Sequence, residues 1–366
     1  MPSKVYFSDL RTSKKSLTDK LKNLMKAAGF ETINFEGKYV AVKMHFGEPG
    51  NLAFLRPNWA EAVCSYVKAL GGKPFLTDCN TLYVGGRKNG LDHLTSAFSN
   101  GFTPLQTGVH TIIADGIKGT DEAYVPLENG EYVKSAKIGR ALADADIIIS
   151  LSHFKGHQST GFGGALKNIG MGGGSRAGKM EMHSASKPTV DPELCIGCGA
   201  CIRCCAHDAP QIIDGKSVVD FDKCVGCGRC IGECPVDAMH AEMDECNSIL
   251  GCKIAEYAYA ICKDKPNFHV SIAIDISPYC DCHACNDLAV VPNIGMFASF
   301  DPVALDMACA DAVNAEKPIR GSLLDEAEHV HGDHFTDIFP NTSWHSTIEH
   351  AEKLGFGTEK YELIII

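Results

Sequence analysis

The chain of 366 residues carries 34 Lys and Arg against 45 Asp and Glu, a formal net charge of −11. That balance excludes a nucleic-acid binder, which needs a basic face to displace counterions from phosphate. Hydrophobic residues at 45% and charged residues at 22% likewise exclude a largely disordered chain.

Residues 1–180 read as alternating strands and helices. Lys38–Phe46 (KYVAVKMHF) has the β-branched and aromatic character of a strand, and Arg56–Leu70 reads as a helix with Pro57 near its start and Gly71-Gly72 as its stop. A strand at Pro74–Thr77, a helix around Leu91–Phe98 and the continuous apolar strand Asp146–Leu151 follow. Unbroken apolar strands between helices predict a sheet buried on both faces. Glycine then dominates from Gly156 to Gly178, a density that argues against a packed helix and for a backbone approaching a ligand closely. After a cysteine-rich stretch the pattern returns: strands at His269–Ser277 and Asn293–Ser299, helices at Pro302–Val313 and Trp344–Leu354, and a last strand at Tyr361–Ile366. The expected fold is α/β, a mixed or parallel sheet flanked by helices, with a small inserted α+β domain. The expected divisions are 1–185 and 246–366 for the α/β domain and 186–245 for the insert.

The insert rests on the one repeat in the chain. Of 18 cysteines, nine lie between positions 195 and 234, and DPELCIGCGACIRCCAHDAP (Asp191–Pro210) aligns with DFDKCVGCGRCIGECPVDAM (Asp220–Met239) at an offset of 29. Each copy reads C-x2-C-x2-C-x3-C, the spacing of bacterial two-cluster ferredoxins, in which the fourth cysteine crosses to the other cube. Cys195, Cys198, Cys201 and Cys234 are therefore expected to hold one [4Fe-4S] cluster, and Cys224, Cys227, Cys230 and Cys205 the other, which makes the expected insert a 2[4Fe-4S] ferredoxin-like domain. Glycines two and four places after each first cysteine let the loop curl around an inorganic core. A zinc site needs only four ligands per ion and no crossed duplication. Cys204, beside Cys205, is a spare thiol, and Ala206 stands where the second copy has Pro235.

His153, His157, Lys167 and His183 lie in or beside the glycine-rich segment, directly after the apolar strand. Carboxyl ends of such strands are where α/β proteins present functional groups, so these four are expected to be catalytic, with Lys167 holding a small anionic ligand and a histidine moving protons. His45 ends another strand. Pro278 to Cys285 (PYCDCHAC) follows a third, and Cys280, Cys282 and Cys285 with His45 form a candidate site for an additional metal or cluster, provided the chain bends sharply between Cys280 and Cys282.

The stretches HFGEPGN (His45–Asn51), LSHFKGHQSTGFGGALKNIGMGGGSRAGKMEMHS (Leu151–Ser184), YCDC (Tyr279–Cys282) and VPNIGMFASFDPVALDMACAD (Val291–Asp311) resemble the DUF362 family, an α/β domain often carrying an embedded two-cluster ferredoxin. The resemblance spans nearly the whole chain and implies iron–sulfur binding and redox work in anaerobes. His157-x3-Gly161-Phe162-x-Gly164-x2-Lys167, with His183 sixteen residues on, also looks like the spacing of the lactate racemase family, in which a lysine carries a nickel pincer nucleotide. Gly163-Gly164-Ala165 departs from that family's Ser-Gly-Gly, and the insert is foreign to it.

These readings converge on an iron–sulfur protein that passes single electrons through two clusters to a redox partner protein or to a site in its own α/β domain. The acidic surface would steer it toward a basic partner patch. The alternatives are a ferredoxin-fed reductase acting on a small anionic substrate at the Gly/His/Lys crevice, and delivery of clusters or reductive activation of another metalloenzyme. No membrane span is expected: no run approaches the roughly 18 apolar residues required, and MPSKVYFSDLRTSKKS lacks the apolar core of a secretory signal. The expected location is therefore cytoplasmic, where thiols stay reduced and serve as metal ligands or reactive groups.

Overall fold

A computed structural model describes residues 2–83, 85–183, 187–241 and 246–366. Eight strands form one sheet, in the order Tyr361–Ile365, Ser3–Asp9, Gly295–Ser299, Asn267–Ala273, Ile147–His153, Tyr39–Lys43, Lys73–Asp78 and Thr111–Ile113. Gly295–Ser299 runs antiparallel to both its neighbours, and every other pairing is parallel. The fold is therefore α/β with a mostly parallel sheet, as its continuous apolar strands imply.

Alternation along the strands feeds two cores. Ala41, Ile148 and Phe297 point to one face, against helices Ala165–Gly173, Asn247–Cys262, Pro302–Asn314 and Trp344–Lys353. Val40, Val42, Ile147, Ile149, Val270 and Ala298 point to the other, against helices Leu17–Ala27, Pro57–Ala69 and Gly90–Ser99. Local signals set the helix ends. Asp301 caps Pro302–Asn314 by accepting the Val303 and Ala304 N–H groups at 2.9 and 3.0 Å, and Asn89 caps Gly90–Ser99 by accepting those of Leu91 and Asp92.

The glycine-rich segment corrects an expectation. It holds a short hairpin, Lys155–His157 with Gly161–Gly163, followed by two helices, Ala165–Gly173 and Arg176–His183. Glycine is tolerated there because other elements pack directly on the helical backbone. A Cβ at Gly170 would overlap the Ile254 carbonyl, one at Gly173 the Ile261 side chain, and one at Gly178 the Lys137 carbonyl. Close helix packing, not flexibility, accounts for these glycines.

Strand Pro188–Val190 pairs antiparallel with Met239–Ala241 and closes the cysteine-rich insert. The expected junctions at 185/186 and 245/246 fall at segments outside the described residues. Inside the insert the repeat is visible in the backbone. Helices Ala200–Cys204 and Arg229–Glu233 stand at the same offset, and the Asp191 N–H to Ala238 carbonyl bond is mirrored by Asp220 N–H to Ala209 carbonyl. Among the described residues no helix is long and apolar enough to cross a membrane.

The chain leaves strand Tyr39–Lys43 toward one edge of the sheet, through Lys73–Asp78 and Thr111–Ile113. It later enters Ile147–His153 on the other flank and proceeds to Asn267–Ala273. Between two such halves the loops beyond the carboxyl ends part and leave a crevice.

Candidate functional site

The crevice is a narrow cavity of about 50 Å³ whose walls include Lys43, His45, Asp78, Arg87, Lys155 and Lys167. Lys43, the last residue of its strand, is buried; its Nζ lies 2.9 Å from Asp78 Oδ1 and donates to Asn168 Oδ1 at 3.0 Å. Burial pulls its pKa down, and the Asp78 carboxylate opposes that. Arg87 Nε reaches Glu48 Oε2 at 2.7 Å, and Lys155 Nζ lies 3.5 Å from Asp281 Oδ2.

Four histidines reach this region with different roles. Both ring nitrogens of His153 face acceptors: Nδ1 the Asp281 carboxylate at 2.9 and 3.0 Å, Nε2 the Ile274 carbonyl at 2.7 Å. His153 thereby fixes Asp281; although burial pushes the Asp281 carboxyl up, His153 and Lys155 outweigh it and hold it well below the ordinary value. His157 Nδ1 accepts the Ser159 and Thr160 N–H groups at 3.1 and 3.2 Å. His45 lines the cavity; its Nδ1 accepts the Gly47 N–H at 2.9 Å, and burial, then Arg87 and Lys155, keep the ring neutral. His183 ends its helix outside the cavity lining, packed edge-on against Tyr83 at 6.2 Å between ring centroids, and burial pushes its pKa down to about 3.

The sharp bend required between Cys280 and Cys282 is present. His283 N–H donates to the Cys280 carbonyl at 3.0 Å, making a turn that brings both sulfurs and a His157 ring nitrogen within 4.8 Å of one another. Lys167 Nζ lies 3.7 Å from Cys280 Sγ. Each thiol acts on the other: the hydrogen bond from Cys280 draws Cys282 below the ordinary thiol value, and Cys280 is pushed above it. Cys285 is not brought to this group. It is exposed, and its carbonyl accepts from Asn51 Nδ2 at 3.2 Å. The expected set of Cys280, Cys282, Cys285 and His45 thus becomes, in space, Cys280 and Cys282 with His157.

Two further cavities lie in the insert. Cys195, Cys198, Cys201 and Cys234 line one, and Cys205, Cys224, Cys227 and Cys230 the other. Cys204 lines neither and donates its thiol to the Cys201 carbonyl at 3.3 Å. Gly197, Gly199, Gly226 and Gly228 all have φ between 64° and 71°, the left-handed curl that a side chain resists. Ser217 contributes two contacts to the first group: its N–H donates to Cys195 Sγ, and its hydroxyl lies against Cys201 Sγ, both at 3.3 Å.

The model of the family described as "Domain of unknown function (DUF362)" matches residues 40–311. The chain belongs to this family. The match runs from the start of strand Tyr39–Lys43 to within helix Pro302–Asn314 and so takes in every residue of the cavity and of the insert. No curated protein matches the sequence. In structure the DUF362 chain is similar to the lactate racemase apoprotein from Thermoanaerobacterium thermosaccharolyticum, at 13% identity and a TM-score of 0.43, over 89% of this chain and 58% of that one. It is also similar to a protein from Thermotoga maritima, at 12% identity and a TM-score of 0.35, over 71% of this chain and 50% of that one. This chain thus spans between half and three fifths of the length of those proteins.

Sequence reasoning missed most of the cavity's charge. Lys43, Asp78, Arg87, Lys155 and Asp281 were not singled out, although a lysine inside the apolar run YVAVK and an aspartate between two cysteines are signals in hindsight. Tyr83 was also missed. It lines the cavity and packs in the apolar cluster that contains Leu82, Met180, Cys201, Cys230 and Cys234. The insert is tied to the same loop by Lys88 Nζ, which donates to the Cys234 carbonyl at 3.0 Å and pairs with Asp237.

Proposed function

We propose that this protein is an iron–sulfur redox protein holding two [4Fe-4S] clusters, one on Cys195, Cys198, Cys201 and Cys234 and one on Cys224, Cys227, Cys230 and Cys205. The observation that carries the reading is the pair of cysteine-lined cavities, each built from three cysteines of one copy of the repeat and one of the other. Left-handed glycines and the Ser217 N–H aimed at the Cys195 sulfur fit thiolate ligands wrapped around an inorganic core. When bound, such cubes supply one-electron chemistry, commonly at low potential.

The chain's own residues give the electrons a place to enter and a place to go. Cys198 is exposed, with Ile196 and Leu194 exposed beside it, an apolar opening suited to a redox partner protein. On the inner side Tyr83 separates the insert from the cation-lined crevice. That shared wall favours, as a second reading, a reductase whose acceptor binds in the crevice as a small anion near Lys155 and Lys167. Anaerobic reductive titration followed by EPR tests the first reading: about two electrons per chain entering EPR-detected clusters, and returned to an oxidised acceptor protein, support it. No reduced-cluster signal contradicts it.

A further inference from the structure

The turn at Cys280–His283 carries chemistry that the electron-transfer reading does not use. We propose that Cys280 and Cys282 form a reversible dithiol–disulfide couple, a two-electron store at the carboxyl edge of the sheet.

The geometry is that of a held pair. The turn brings the two sulfurs within 4.8 Å, and the residue between them is anchored on both its side chain and its backbone. The Asp281 carboxylate is bound by His153 and Lys155, and its carbonyl accepts the Glu48 N–H at 2.9 Å. Such an anchor lets the sulfurs rotate between bonded and unbonded positions without moving the loop.

A cysteine pair beside a histidine is also the pattern of a metal site, and two observations decide against that use. First, His157 Nδ1 accepts two backbone N–H groups, so its lone pair is taken and the proton of the neutral ring sits on Nε2. A metal ligand requires the reverse, a lone pair on the metal and a proton on the other nitrogen. Second, the cavity holds more cations than carboxylates. Lys43, Arg87, Lys155, Lys167 and Lys179 line it, whereas the carboxylates paired with them are Asp78, Glu48 and Asp281. Among the described residues Lys167 pairs with no carboxylate, and its contact is Cys280 Sγ. A Cys282 thiolate lowers that excess by one charge. Two thiolates carrying a divalent metal are already neutral and leave it standing.

The step balances with one proton: the Cys280–Cys282 S–S bond breaks, two electrons and one proton from water enter, and a Cys280 thiol hydrogen-bonded to a Cys282 thiolate forms, the thiolate held by the surrounding cations. The electrons arrive singly from a low-potential one-electron donor, the class proposed above for the insert; the inference rests on that reading for the identity of the donor alone. Reoxidation closes the S–S bond and releases the two electrons together, with the Cys280 proton, to a two-electron acceptor such as a disulfide. The pair thus converts one-electron delivery into a two-electron step.

Differential alkylation of the whole, iron-loaded protein with peptide mapping tests this. After mild oxidation the peptide bearing Cys280 and Cys282 should be lighter by two hydrogens and resist alkylation; after reduction by dithionite both cysteines should label. In Cys282→Ser, Cys280 should label in both states while iron content stays unchanged. Lys167→Met should shift the equilibrium toward the disulfide by about tenfold in a thiol redox buffer, through loss of one stabilising cation. Equal labelling of both cysteines in the two states overturns the couple, as does one tightly bound zinc per chain that Cys282→Ser removes. Missing iron with an intact thiol response would instead contradict the cluster reading and leave the couple standing.

Discussion

Replacing Ser217 by alanine perturbs one of the two proposed clusters and leaves the other as an internal control. Ser217 is buried and lies on a strand paired with Pro210–Ile213, so its hydroxyl is fixed against Cys201 Sγ at 3.3 Å; a cluster-bound Cys201 is a thiolate, and the hydroxyl must donate to it. Such a bond stabilises the more negative, reduced state. A hydrogen bond is worth about 0.5–1.5 kcal/mol net, and for a one-electron couple about 1.4 kcal/mol corresponds to 59 mV. The potential of the cluster on Cys195, Cys198, Cys201 and Cys234 should therefore fall by about 20–60 mV. The Ser217 N–H bond to Cys195 belongs to the backbone and persists. EPR-monitored redox titration of wild type and Ser217→Ala would read one cluster shifted and one unmoved. An unshifted first cluster, or equal shifts in both, would refute the placement of this hydroxyl as a cluster donor.

Other expectations can be checked directly. Cys198→Ala and Cys227→Ala should each lose about four iron atoms per chain while Cys204→Ala loses none, since Cys204 lines neither cavity; iron analysis after anaerobic purification decides. Gly170→Ala puts a methyl group onto the Ile254 carbonyl and should destabilise the α/β domain by about 1–3 kcal/mol or more in urea unfolding. The His350 ring is drawn up to about 9 by a hydrogen bond with Cys252 and by Glu256, whose Oε1 lies 2.9 Å from its Nε2. A raised histidine contributes stability that is complete below its unfolded value of about 6.5 and is lost as pH climbs through 9. His350→Ala should therefore cost more at pH 6 than at pH 10, a difference seen in the melting temperatures of mutant and wild type.

How far the sequence could be read depended on how local each cause was. The unbroken run IIISL lies in a strand whose every residue, Ile147 to His153, is buried, and composition alone announces that. The 29-residue repeat is local in the sequence, and the crossed assignment expected from the two-cluster ferredoxin spacing groups the same two sets of four cysteines that line the two cavities. Helix Asn247–Cys262 gave no signal: wedged between Ala165–Gly173 and Trp344–Lys353, it is buried on both sides and has no polar face to set a period. The glycine helices failed for a related reason. What makes Gly170 necessary is the Ile254 carbonyl, far away in the chain. The crevice was half legible. Its histidines, Lys167 and the two cysteines stood out at strand ends, but which of them share a space depends on strand order. Only that order replaces Cys285 and His45 by His157 beside Cys280 and Cys282. Tyr83 belongs to no motif, and its position between insert and crevice follows from how the two pack.

The central claim is that the repeat holds two iron–sulfur cubes, and the most direct measurement is the iron and acid-labile sulfide content of the anaerobically purified chain. About eight of each per chain is the predicted result. About two zinc ions with no sulfide would contradict it and recast both cysteine cavities as structural metal sites.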